Sequence, residues 1–354
     1  MIPNQADQVE PAAPVRDPGP LRFSLTPQEV GQVRDAVTGL AGEVASLAPE
    51  QTTEVFQAVP AAARRLPERL LGFLDAFRRE EPAGGFVLSG WMVDDAGLGR
   101  TPTHWRRRPG AEDGTLAHEL YLVLVASVLG DVFSWSTVQD GRLVQDLLPV
   151  RGEELDKSAG SSASILDLHN EDAFSPLRCD YLGLLCLRND DRVPTAYAPV
   201  DRVELTSEQR RLLAEPRYVL TPDEEHVRRA AERGERPPVP PRTGVLFGDP
   251  SAPYLVFDEY FIETDPEDEE ARAALAALTG QLQRHRSEIP LAPGELLMVD
   301  NYRAVHGRRP FQARYDGRDR WLKRISVTRD LRRSRAARAA VGSPVVITGL
   351  AALA

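Results

Sequence analysis

The sequence predicts a mainly β fold with flanking helices, a sandwich or barrel of short strands joined to an N-terminal helical layer. Three observations carry this reading. Up to Gly130, apolar residues recur at three- and four-residue steps, the period of amphipathic helices. Beyond Gly130 the apolar stretches become short, β-prone and punctuated by turn residues, a pattern of sandwiches and barrels rather than doubly wound sheets. No evident linker separates the two halves, so residues 25–354 read as one domain, helices packed on a jelly roll (a double-stranded β-helix).

The elements follow in order. Residues 1–24 read as a flexible leader, because Met1 to Leu21 is rich in Pro, Ala and acids and lacks the basic start and apolar stretch of a signal peptide. Thr26-Pro27-Gln28-Glu29 is a helix start, with Thr as N-cap, Pro at the first helical position and Glu at the third. Val30, Val33, Val37, Leu40, Ala41 and Val44 then make one apolar face. A second helix runs over 67–78, with Leu70, Leu71, Leu74 and Phe77 inside. Phe86-Val87-Leu88-Ser89-Gly90 is a short buried strand, and 116–129, with Glu119 its one charge and His118 its one histidine, is a buried helix. Strands follow at 131–138, 143–148, 165–168, 181–187, 254–261, 296–299 and 321–328. Between them, 208–242 has almost no apolar residues after Val227 and ends in Pro237-Pro238-Val239-Pro240-Pro241. It reads as a mobile excursion that serves as a lid.

Composition excludes several classes. Apolar residues at 42% and charged residues at 27% are ordinary for a globular chain, and no run of about eighteen apolar residues is present to span a bilayer. Two cysteines, Cys179 and Cys186, exclude a disulfide scaffold and point to the cytoplasm. The net charge of −10 argues against a nucleic-acid partner, which needs a positive field. Arginines nonetheless crowd between Arg303 and Arg335; a solvated basic face and a site for small anions both explain them.

Leu168-His169-Asn170-Glu171-Asp172-Ala173-Phe174 is the first chemical motif. On an extended strand, residues i and i+2 share a side, so His169 and Glu171 would aim an imidazole and a carboxylate at one point. A second histidine completes the two-His-one-carboxylate facial triad, which leaves coordination positions open on Fe(II). His306 suits this role: it follows a turn at Pro293-Gly294-Glu295, the apolar strand Leu296-Leu297-Met298-Val299 and a polar loop. Of the other histidines, His118 and His285 read as helical, His226 lies at the edge of the excursion, and His104 has no assigned part. Arg320 and Arg324 share parity on the last predicted strand, and a guanidinium fork meets a carboxylate bidentately.

The run Leu168 to Asn189 closely resembles the clavaminate synthase-like oxygenases, in particular their branch of free amino acid hydroxylases acting on arginine, asparagine and lysine. Val299-Asp300-Asn301-Tyr302-Arg303-Ala304-Val305-His306-Gly307-Arg308 and Tyr315-Asp316-Gly317-Arg318-Asp319-Arg320-Trp321-Leu322-Lys323-Arg324 resemble the same branch. The resemblance implies Fe(II) held by His169, Glu171 and His306, with 2-oxoglutarate as cosubstrate and O2 as oxidant. It implies that Arg320 holds the distal carboxylate of 2-oxoglutarate, helped by Thr195, and that Arg324 anchors the amino acid's carboxylate. Gln139 falls where relatives contact the substrate backbone, although a turn at Gln139-Asp140-Gly141 also explains it.

Arginine-hydroxylating relatives grip the guanidinium with an Asp-x-Asp pair before the distal histidine. Here Asp258 keeps the first position, but Tyr260 stands at the second. The expected substrate is therefore a basic free amino acid, arginine first, with lysine and citrulline close behind. Hydroxylation is the expected outcome and desaturation the alternative; a carboxylate at Glu171 argues against halogenation.

Overall fold

In the computed structural model, residues 19–45, 52–106, 114–158, 160–232, 234 and 240–347 are described. The N-terminal part holds β1 (Leu21–Ser24), α1 (Pro27–Ala45), α2 (Thr52–Ala63), α3 (Glu68–Glu80), β2 (Gly85–Ser89), the short α4 (Asp95–Leu98) and α5 (Leu116–Leu129). Strands then dominate: β3 (Asp131–Trp135), β4 (Val144–Leu147), β5 (Leu166–His169), β6 (Tyr181–Arg188) and β7 (Thr195–Pro199). A mixed stretch follows, with α6 (Ser207–Ala214), β8 (Tyr218–Leu220), α7 (Glu224–Glu232), β9 (Leu246–Asp249), β10 (Ala252–Leu255), β11 (Ile262–Thr264) and α8 (Glu269–Arg284). The chain closes with β12 (Ser287–Ile289), β13 (Leu296–Asp300), β14 (Ala304–Arg308), β15 (Trp321–Thr328) and β16 (Val345–Val346).

The architecture is mixed, rich in sheet with helices around it. The sheets and flanking helices match the expectation, but the chain is not mainly β, because among the described residues its helices hold more residues than its strands. An eight-stranded sheet runs β1-β2-β13-β6-β15-β3-β16, with β4 also paired to β15, and a four-stranded sheet runs β12-β7-β14-β5. Alternation along the strands sorts side chains between layers. On β13, Leu296 and Met298 join the core under α1, α2, α3 and α5, while Leu297 and Val299 face the other way, into the core shared with Tyr197, Ile289 and Ala304 of the small sheet. The outer side of the small sheet packs Ala196, Ala198 and Val305 against Leu212 and Leu213 of α6 and Leu278 and Leu282 of α8. Each fully buried aliphatic side chain in these layers contributes about 1.5–3 kcal/mol. The capping box read at the start of α1 forms as written, Thr26 N–H donating to Glu29 Oε2 at 2.7 Å and Glu29 N–H to Thr26 Oγ1 at 3.3 Å.

Three further expectations are corrected. The leader does not extend to residue 24, because Leu21–Ser24 is a strand paired in parallel with β2; residues 1–18 lie outside the described residues. The strand expected over 254–261 ends at Leu255 as part of β10; Asp258 caps a turn after it, and β11 begins only at Ile262. The excursion over 208–242 is largely structured. Leu212, Leu213 and Tyr218 are core residues, β8 pairs with β11, and only Thr221 to Glu232 reaches the site; 233 and 235–239 lie outside the described residues.

Candidate active site

The site opens between the two sheets. β5 ends at His169, and β14 places His306 directly opposite it in antiparallel register. The two imidazoles therefore meet as a cross-strand pair, with ring centroids 4.3 Å apart. Gly307 permits this approach, since a Cβ there would lie 2.6 Å from the Leu166 carbonyl oxygen on β5. Glu171 is not on the strand, as the i, i+2 reading had it. It sits in the turn just beyond β5, where Asp172 takes the left-handed conformation with φ of 53°.

Two buried asparagines fix that turn. Asn301 accepts from the Glu171 N–H at 2.8 Å and donates to the Glu171 and Cys179 carbonyls at 3.0 Å. Asn170 donates to the Asn301 and Ala304 carbonyls at 2.9 Å and accepts from Phe257 N–H at 2.8 Å. The outcome is that ligand-capable atoms of His169, Glu171 and His306 lie within 4.8 Å of one another. His169 Nδ1 is 2.8 Å from the Asp167 carbonyl, which fixes the tautomer and leaves Nε2 as the donor atom. His306 Nε2 lies 3.5 Å from Glu171 Oε2. Burial, reinforced by the neighbouring His169, pushes His306 down to about 4. Burial alone would raise Glu171, but Arg324 and His306 hold it well below the usual carboxylate range. Two imidazoles and one carboxylate are the donor set that suits Fe(II), so the residues present fit such an ion.

The cavity beside this triad is lined by charges of both signs. Arg308, Arg320 and Arg324 line it with Thr195. Arg324 is satisfied, 2.5 Å from Glu171 Oε1 and 2.6 Å from Gln145 Oε1. Arg320 donates to Thr195 Oγ1 at 3.1 Å, and among the described residues it has no acidic partner. Burial pushes it down to about 10. Arg308, two residues past His306 on β14, bonds Ser161 Oγ at 2.9 Å, and burial with Arg320 nearby pushes it down to about 9. A pair of buried guanidinium groups in this state calls for an anion.

Carboxylates form the acidic wall of the same cavity. Asp258 faces the cavity, yet its Oδ1 accepts from the Tyr260 and Phe261 N–H groups at 2.9 Å, and burial raises its carboxyl. Asp223 and Glu225, from the start of α7, also line the cavity. Burial and Asp223 raise Glu225, and among the described residues no hydrogen bond holds its carboxylate. Gln139 is not a lining residue; its amide pairs with both backbone groups of Asp146, at 2.7 and 2.9 Å. Sequence reasoning missed Arg308, Asp223, Glu225 and His226. For Arg308 the signal was available in its i+2 spacing from His306 on one strand. The other three depend on where α7 docks, which no local pattern reports.

A sheet-rich fold flanked by helices, with a His-Glu-His cluster at the mouth between its sheets, is the setting of non-haem iron oxygenases. Residues 202–326 match the model of the taurine catabolism dioxygenase TauD, TfdA family, and the chain belongs to that family of oxygenases. Its relatives narrow the branch. The chain is 36% identical over 345 residues to the L-ornithine/L-arginine 3-hydroxylase of Catenulispora acidiphila, covering 92% of this chain and 99% of that protein. It is 39% identical over 302 residues to the enduracididine beta-hydroxylase of Streptomyces hygroscopicus, covering 80% and 88%. Among solved structures, the non-heme iron oxygenase OrfP in complex with Fe, succinate and (3S)-hydroxy-L-Arg superposes with a TM-score of 0.84 at 38% identity, over 92% of this chain and 99% of that one. The same oxygenase in complex with Fe and alpha-ketoglutaric acid superposes with a TM-score of 0.83 at 40% identity, with the same coverage.

Proposed function

We propose that this protein is an Fe(II)- and 2-oxoglutarate-dependent oxygenase that hydroxylates an unactivated side-chain carbon of a free basic L-amino acid, arginine first. The observation that carries the reading is the His169-Glu171-His306 triad in one cavity with Arg320 and Arg308, two buried guanidinium groups without an acidic partner among the described residues, and with the carboxylates of Asp258, Asp223 and Glu225. A dicarboxylate cosubstrate meets the first set and a cationic substrate the second. His169, Glu171 and His306 would hold the iron, which, when bound, supplies O2 activation coupled to oxidative decarboxylation of 2-oxoglutarate to succinate and CO2.

The chain's own residues do the positioning. Arg320, with Thr195, receives the distal carboxylate of 2-oxoglutarate as a charge-assisted pair, and Arg308 adds positive potential beside it. Arg324, with Nη1 on Glu171 Oε1 and Nε on Gln145, keeps Nη2 to meet the amino acid's carboxylate, while Glu171 Oε2 stays on the side of His306. Asp258, with Asp223 and Glu225, faces the basic end of the side chain and so fixes which carbon lies nearest the metal. Gln139 braces the loop behind Val138 rather than touching the substrate. The layered sheets fit a double-stranded β-helix, with the described elements from β1 onward acting as one domain and Thr221 to Glu232 as the part of the 208–242 insertion that covers the site. The reaction belongs in the cytoplasm, where free amino acids and 2-oxoglutarate are both at hand.

Incubation with Fe(II), 2-oxoglutarate and O2 across the free amino acids tests this. Coupled succinate release with gain of one oxygen atom is expected for arginine above lysine and citrulline. Loss of two hydrogens instead would assign desaturation. No coupled release with any free amino acid would overturn the reading.

A further inference from the structure

His226 was expected at the edge of a mobile excursion and is instead one of the most enclosed polar residues of the site, 1% exposed. It projects from the first turn of α7 into a slot between β3 and the Glu171 turn. Its Nε2 lies 3.1 Å from Asp172 Oδ1 and its Nδ1 2.8 Å from Thr137 Oγ1. The other Asp172 oxygen accepts from Trp135 Nε1 at 2.6 Å. The ring stands edge-on to Trp135 and Phe174, with centroids 5.6 and 4.8 Å away. One imidazole thus joins α7, β3 and the residue that follows Glu171.

Little else can hold that helix. α7 has nine residues, too few to be stable alone. Among its side chains, His226, Arg229 and Ala230 are buried, while Val227 is 40% exposed. Arg228 reaches Asp156 at 3.5 Å on the surface, where an ion pair contributes little, and Arg229 bonds Glu232 of the same helix while lying over Trp105. Yet Asp223 and Glu225, at the start of this helix, supply much of the acidic wall, and Asp223 itself caps the helix by accepting from the His226 N–H at 2.8 Å.

We propose that His226 is a positioning residue that seats α7, so that Asp223 and Glu225 face the amino acid substrate while the turn carrying Glu171 keeps its register. The inference rests on the proposed function for its kinetic arm only. His226→Phe keeps the ring contacts and removes both polar bonds; His226→Gln retains one polar end toward Asp172 or Thr137. By hydrogen–deuterium exchange, residues 221–232 of the Phe variant exchange faster than in the unaltered protein, with β14 and β15 unchanged. The KM for the amino acid rises about tenfold while that for 2-oxoglutarate stays within about twofold, and succinate outruns hydroxylated product. The Gln variant lies between, and remains measurable if the Phe variant does not fold. Unchanged exchange over 221–232, or equal rises in both KM values, overturns the proposal. A protein that consumes no 2-oxoglutarate with any amino acid sinks the functional reading instead, and the exchange arm still decides the seat of α7.

Discussion

Arg320 and Arg324 lie four positions apart at the head of one strand, face one cavity and are both buried, yet their surroundings are opposite. Arg324 is locked to Glu171 at 2.5 Å and to Gln145 at 2.6 Å. Arg320 has a single hydroxyl neighbour, Thr195, and no carboxylate among the described residues. The difference separates two uses of a buried cation. A guanidinium that burial pushes down to about 10 with nothing to neutralise it is a permanent demand for an external anion. A guanidinium already paired with a metal-ligand carboxylate has only its remaining N–H groups to offer, so it orients a ligand rather than demanding one.

The strongest way to break the contrast is to remove the group that both iron and Arg324 share. Glu171→Ala should lower turnover at least about a thousandfold, equivalent to about 4 kcal/mol, and should lower iron content in equilibrium dialysis. Iron content and rate like those of the unaltered protein would dissolve the triad. Next, Arg320→Ala should raise the apparent KM for 2-oxoglutarate roughly a hundredfold, from loss of a charge-assisted pair worth about 3 kcal/mol. Arg324→Ala should leave that constant nearly unchanged and raise the KM for the amino acid instead. If the two variants behave alike in steady-state kinetics with each substrate varied in turn, the arginines are not distinct.

A smaller effect sharpens the same comparison. Thr195→Val removes the one hydroxyl that holds Arg320 and should cost about 1 kcal/mol, a fivefold rise in the KM for 2-oxoglutarate with the amino acid KM unmoved. The smallest concerns the acidic wall. Asp258→Asn keeps an oxygen for the Tyr260 and Phe261 N–H groups, so thermal stability should hardly change. The preference for arginine over neutral citrulline should fall severalfold, as product analysis with both would show. An unaltered preference would make Asp258 a turn cap and nothing more.

How much of this was legible depends on whether the cause was local. The strand at 321–328 was readable to the residue, because a short β-prone run, Trp321 to Thr328, lies between the turn residues Asp316-Gly317 and the polar Arg329-Asp330. The start of α1 was readable because a capping box is a four-residue event. His169 and His306 were readable as a pair from the strand and loop that precede His306 and from motif resemblance, but the carboxylate's place was misjudged. Strand parity put Glu171 beside His169, whereas Asn170 and Asn301 bend the chain into a turn that delivers it from another direction. Buried asparagines that bond backbone across the fold carry no periodic signal. The acids of α7 were unreadable for a related reason: a polar nine-residue helix looks like solvent-exposed linker until its one buried histidine finds Asp172.

The direct opposition of His169 and His306 across β5 and β14 has a consequence for how the chain reaches this state. The two residues are far apart in sequence, so their ladder is a non-local contact, of the kind whose loop-closure entropy must be met before any gain is returned. An ion gripping both imidazoles acts as a clasp on that late-forming pair. It binds the closed ladder and not the open chain, and at a hundredfold excess over its dissociation constant such selective binding adds about 2.7 kcal/mol to the folded state. Iron loading should therefore slow unfolding from the β5 edge inward, so that the reactive centre doubles as a fastener for the smaller sheet.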